Sequence, residues 1–148
     1  LLFFTRYTLL YGGEEALLRE LEHAFRDPAY PLSLGREDEL LLIEDVFLVE
    51  AQPGKPRFRG TVLSGDIRQM SDLRPILREG AVFEPPVVET LPLAFTIDTK
   101  GLRHPERPVP LSFLPLGVEL EVPRILALQC NERNFIWLNS SLNPIPGF

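Results

Sequence analysis

Residues 1–50 read LLFFTRYTLLYGGEEALLRELEHAFRDPAYPLSLGREDELLLIEDVFLVE, and the order of patterns in this stretch decides the expected fold class. From Leu1 to Tyr11, Phe4, Arg6, Thr8 and Leu10 alternate with Phe3, Thr5, Tyr7 and Leu9. Both faces are substantially apolar, which predicts a central β-strand. Gly12-Gly13 breaks the run. Glu14 and Glu15 then stand where a helix N-terminus favours negative charge, and Leu17, Leu18, Leu21, Ala24 and Phe25 recur at helical spacing. Arg26 suits the last turn, and Pro28 cannot continue the helix. After a loop bracketed by Pro31 and Gly35, Leu40 to Val49 reads as a second apolar strand with Leu40, Leu42 and Ile43 in the core.

Beyond this βαβ pattern the periodicity changes. AQPGKPRFRG at 51–60 carries a turn at Pro53-Gly54 and then an aromatic flanked by arginines. From Val82 onward, short runs such as LPLAFTID, VPLSFLPL, GVELEV and RILALQC are punctuated by Pro and Gly, the pattern of short strands joined by turns. Fifteen prolines in 148 residues exceed the usual share of about 5% and shorten every element after the first third. Helices do not keep alternating with strands, so the expected class is α+β rather than a doubly wound sheet.

The formal charge of -6, from fifteen basic and twenty-one acidic residues, argues against a uniformly basic nucleic-acid-binding domain. It is an average over unlike halves. Between residues 14 and 50 eleven acids face three arginines, whereas 55–79 holds Lys55, Arg57, Arg59, Arg68, Arg74 and Arg78 against Asp66, Asp72 and Glu79. Thirteen of the fifteen basic residues are arginine, a bias that suits forked contacts to phosphate or carboxylate and that genome composition also produces. Cys130 is the single cysteine, which excludes an intrachain disulfide and a cysteine-based zinc site and favours a reducing, cytoplasmic home. No apolar run is long enough to span a membrane and no signal peptide is present, so a soluble chain is expected. The chain begins at Leu1 inside an expected strand, and a fragment is therefore expected.

Catalytic motifs are absent. Gly12-Gly13 lacks the Lys-Ser/Thr partner of a phosphate loop, no serine sits in a nucleophile elbow, and His23 and His104 have no metal-ligand spacing. Three features remain. In YPLSLGRED, Ser33, Gly35 and Arg36 follow one another between a helix and a strand, where a hydroxyl, a backbone amide and a guanidinium can converge on phosphate. A turn whose glycine supplies positive φ accounts for the same residues. In RFRG, Phe58 between Arg57 and Arg59 could stack a base while the arginines clamp a backbone, and a solvated strand face explains the alternation as well. Glu37-Asp38-Glu39 reads as an exposed charged turn rather than a metal site.

The stretch from Tyr7 to Val46 resembles the conserved centre of the CRISPR-associated Cas-five family, in which a strand and helix lead into a turn. Here that turn is carried by Asp27, Pro28, Tyr30, Pro31, Leu32, Ser33, Leu34, Gly35, Arg36, Asp38, Leu40 and Ile43. Residues 87–122 resemble the family's later strands more loosely. The resemblance implies a ferredoxin-like (RRM-like, RAMP) domain, incomplete at the N-terminus, with its second half in residues 1–50 and a β-rich region packed on it in 51–148. It implies a non-catalytic subunit of a type I Cascade complex, active in antiviral defence, that caps the 5′ handle of the crRNA. The implied neighbours are a backbone RAMP subunit and a large subunit, target DNA is met only through the complex, and no cofactor or metal is implied. Ser33, Gly35 and Arg36 would hold the handle, with Arg57, Arg59 and Arg68 added on charge. One branch of the family cleaves precursor crRNA without metal. A metal-independent endoribonuclease is therefore the rival, although the two histidines and Lys55 and Lys100 form no cluster by spacing.

Overall fold

The computed structural model describes residues 6–33, 40–77, 79–80 and 82–138. The chain divides into two compact units, Leu1–Glu50 and Ala51–Phe148.

In the first unit the expected helix forms as α1, Glu15–Arg26. Arg19 bonds Glu15 at 2.7 Å and Arg26 bonds Glu22 at 2.9 Å, both at i,i+4 with the acid N-terminal, an order worth about 0.3–0.5 kcal/mol per pair. The Asp27 amide closes the helix on the His23 carbonyl, and Pro28 follows. Arg26 also donates to the Val46 carbonyl, Tyr11 and Phe25 pair their rings at 5.8 Å, and Arg6 reaches Glu44 at 3.2 Å. No described residue of this unit is buried.

Over the described residues, the strands expected on either side of α1 do not form. Residues 6–11 and 41–50 are in no strand, and the one ladder contact is an isolated bridge between Ser33 and Leu40. Apolar alternation favours extended backbone, but a strand exists only where a neighbour takes up its N–H and C=O groups. Here no strand ladder runs along the described residues 6–11 or 41–50; the Leu41 amide bonds the Leu32 carbonyl at 2.8 Å beside the isolated bridge.

The second unit is built from short antiparallel strands. β1 (Gln52–Gly54), β10 (Ala127–Cys130) and β11 (Arg133–Phe135) form one sheet in the order β1-β10-β11. β2 (Arg57–Phe58), β9 (Glu119–Glu121) and β4 (Arg74–Ile76) form a second, ordered β2-β9-β4. β3 (Val62–Ser64), β8 (Val109–Phe113) and β5 (Val87–Leu91) form a third, ordered β3-β8-β5. β6 (Phe95–Ile97) and β7 (Arg103–Pro105) make a separate hairpin. The pairing is nested: Gly54 lies opposite Ala127, Phe58 opposite Leu120 and Val62 opposite Phe113. Pro53 and Pro75 fall on the edge strands β1 and β4, where a missing N–H costs no ladder bond.

One core serves these sheets. Phe58, Leu63, Ile67, Leu120, Val118 and Val122 are its most deeply buried apolar members. Ser112 is wholly buried among them: its hydroxyl donates to the Gly65 carbonyl at 2.7 Å and accepts the Ile67 amide at 3.1 Å. This seats the 3₁₀ turn Ile67–Gln69 against β8.

The architecture corrects the expected α+β, ferredoxin-like (RRM-like, RAMP) fold. Among the described residues 31% are strand and 12% helix, with one α-helix and small antiparallel sheets. A ferredoxin-like arrangement needs helices packed on a sheet, whereas α1 buries no residue and the described residues 6–11 and 41–50 on either side of it lie in no strand.

Candidate nucleic-acid interface

The most basic stretch of sequence is drawn into the second unit by β2. Pro56 has no amide to give, and its carbonyl accepts from the Val122 amide at 2.8 Å, which starts the pairing with β9. Alternation then puts Phe58 in the core at 1% exposure and leaves Arg57 and Arg59 exposed. Gly60 ends the strand at φ +55°, its amide bonding the Pro115 carbonyl at 3.0 Å. A Cβ there would come within 2.3 Å of the Leu116 side chain, so glycine answers both the backbone and the contact.

Register builds a charged row across this sheet. Arg57 and Arg74 both lie opposite Glu121, one on each side. Arg57 Nε bonds a Glu121 carboxylate oxygen at 2.9 Å, and the Arg57 carbonyl accepts from Asn134 Nδ2 at 2.8 Å. Glu119 shares the Glu121 face of β9, so three arginines, Arg57, Arg59 and Arg74, are set against two carboxylates and the row keeps a small excess of positive charge. Lys55 and Arg59 are exposed at the ends of the same segment and meet no carboxylate among the described residues. A flat, partly neutralised arginine row of this kind can take up phosphate oxygens through forked hydrogen bonds.

The candidates named from sequence are placed unevenly. Arg57 and Arg59 flank one buried aromatic on β2. Arg68 lies in the 3₁₀ turn, its Nε and Nη2 each 2.8 Å from an oxygen of Asp66, with the backbone amide on the same carboxylate. That guanidinium holds the Asp66 carboxyl down at about 2, and its donors are engaged locally. Ser33 is exposed in the first unit at its bridge to Leu40, and Gly35 and Arg36 lie outside the described residues, as does Arg78. Phe58 does not present a ring to a base, because strand alternation sends it inward. Arg74 enters the row through register alone, which no spacing in the sequence announces.

Other chemistry is thin among the described residues. No group of three or more His, Cys, Asp or Glu side chains could hold a metal ion, and no helix is long and apolar enough to cross a membrane. Cys130 is buried and its thiol is pushed up by that burial, which disfavours a thiolate nucleophile. His104 Nε2 lies 3.0 Å from Asp98 Oδ2, and this contact, with the Leu102 and Lys100 amides on the other oxygen, holds the Asp98 carboxyl below its usual range. A cleft of about 340 Å³ between the end of α1 and residues 41–46 contains Arg26, Glu44 and Asp45, of which Arg26 and Glu44 are already bonded. No protein-family model, curated protein or solved structure matches the chain.

Proposed function

We propose that this chain is a non-catalytic RNA-binding subunit of a type I CRISPR surveillance complex, cytoplasmic, holding the 5′ handle of the crRNA beside its partner subunits. The observation that carries the RNA-binding part is the exposed row of Arg57, Arg59 and Arg74, which outnumbers the carboxylates of Glu119 and Glu121 on the same face of β9. The choice of RNA rests on the resemblance of Asp27 to Ile43 to the Cas-five turn. In that reading Ser33, Gly35 and Arg36 form a second contact on the first unit, and sequence specificity for target DNA belongs to guide pairing.

The test is recovery of the tagged full chain from cells that carry a CRISPR array, followed by sequencing of the bound RNA. Guide RNAs sharing one 5′ handle are expected, and Arg57→Ala/Arg59→Ala should reduce their yield. Recovery of protein without guide RNA overturns the proposal. The rival, a metal-independent endoribonuclease, draws on the Asp98–His104 pair, since a carboxylate that orients an imidazole equips it for proton transfer. Cleavage of repeat RNA in EDTA that disappears in His104→Ala would establish that rival instead.

A further inference from the structure

The arginine row has cations but no exposed ring, since Phe58 is spent on the core. An exposed ring beside a cation occurs elsewhere in the same unit, on the β6–β7 hairpin. Residues 93–97 and 99–108 are all exposed, and only Asp98 between them is half-buried. In the ladder Phe95 lies opposite Pro105, Thr96 opposite His104 and Ile97 opposite Arg103. One face therefore carries Phe95, Ile97, Arg103 and Pro105, and the other Thr96 and His104.

Two-stranded hairpins are marginal in water on their own, and this one is braced from its polar face. Asp98 Oδ1 accepts the Lys100 and Leu102 amides at 2.8 and 2.9 Å, its Oδ2 meets His104, and Thr96 Oγ1 reaches the His104 carbonyl. The opposite face is left open. Phe95 is 51% exposed and Ile97 67%, with the Arg103 guanidinium carbon 5.8 Å from the Phe95 ring centroid, near the outer limit of a cation–π contact. Lys100, Arg103 and Arg107 meet no carboxylate among the described residues.

A hydrogen-bonded hairpin face with an open ring, a planar cation beside it and further cations at both ends suits a strand of stacked bases joined by phosphates. We propose that this hairpin face is a base-stacking platform for single-stranded RNA, with Phe95 and Arg103 taking the bases and Lys100 and Arg107 the phosphates. The proposal rests on the RNA-binding reading above and adds a second element to it.

The test is fluorescence anisotropy of the full chain with a short labelled single-stranded RNA, repeated over a salt series. Phe95→Ala and Phe95→Leu should each weaken binding about tenfold with an unchanged salt slope, because leucine keeps apolar area but offers no π-face. Lys100→Ala and Arg107→Ala should each lower the slope by about 0.7. Melting temperatures equal to wild type establish that each variant is folded. Wild-type affinity in both Phe95 variants, with loss in Arg57→Ala/Arg59→Ala, overturns the platform and leaves the RNA-binding reading standing. Absence of binding by the wild-type chain overturns both. Weakening by Phe95→Ala but not by Phe95→Leu marks the face as a plain apolar contact and also overturns the platform.

Discussion

Replacing Ser112 by alanine removes one oxygen from the middle of the second unit. That oxygen has two partners: the Gly65 carbonyl, to which it donates at 2.7 Å, and the Ile67 amide, which it accepts at 3.1 Å. Both belong to the turn between β3 and the 3₁₀ helix, where Gly65 holds φ +88° and Ile67 enters the core at 2% exposure. With Ser112 at zero exposure, water does not reach the Ile67 amide through the vacated site, so the donor is left unpaired. An orphaned buried backbone group costs about 1–3 kcal/mol. Gly65 is half-exposed and its carbonyl recovers part of its bonding from solvent, which places the total at about 2–3 kcal/mol. For a unit of this size each kcal/mol lowers the melting temperature by roughly 4–8 °C. Urea unfolding followed by Trp137 fluorescence reports on this unit, because Trp137 packs edge-on against Phe135 of β11 at 5.3 Å. Ser112→Ala should shift the midpoint with an unchanged m-value, and hydrogen exchange at the Ile67 amide should accelerate first. A midpoint within about 0.5 kcal/mol of wild type, the range of neutral surface changes, refutes the idea that the hydroxyl clamps the turn.

Two further outcomes follow from the same unit. The β10–β11 hairpin turns through Asn131 and Glu132 at φ 44° and 66°, and a non-glycine in that region is strained; Glu132→Gly should raise stability by about 1 kcal/mol, seen as a higher melting temperature. Asp66 titrates at about 2 in the folded chain against 3.8 ordinarily, so its pairing with Arg68 stabilises fully above pH 3.8 and is lost as pH falls towards about 2. Melting curves across that window should be steeper in pH for wild type than for Asp66→Asn, and equal slopes would show that the pair contributes nothing.

α1 is legible in residues 14–28 because everything that makes it a helix is local: an acidic first turn, apolar spacing, i,i+4 acid–arginine pairs and a proline beyond its end. The strands at 6–11 and 41–50 are misread for the complementary reason. Alternation states a preference for extended backbone, and the ladder depends on a neighbour that no window of sequence contains. The short strands after Val82 are recognisable from their turns, yet their partners are not, since β1, β2 and β3 pair with β10, β9 and β8 across most of the unit. The candidate site divides the same way. Composition singles out 55–79 as basic, but register decides that Arg57 and Arg74 share Glu121, and a two-residue offset lets Asp66 occupy Arg68.

What the sequence by itself determines here is one helix, the positions of the turns and the basic character of one segment. These depend on backbone preferences and charges within a few residues. Tertiary structure alone decides that the chain is mostly β, that Phe58 is core rather than ligand surface, and that Phe95 is left open beside Arg103. Those outcomes depend on which distant strand supplies the missing hydrogen bonds and which side of it faces the core.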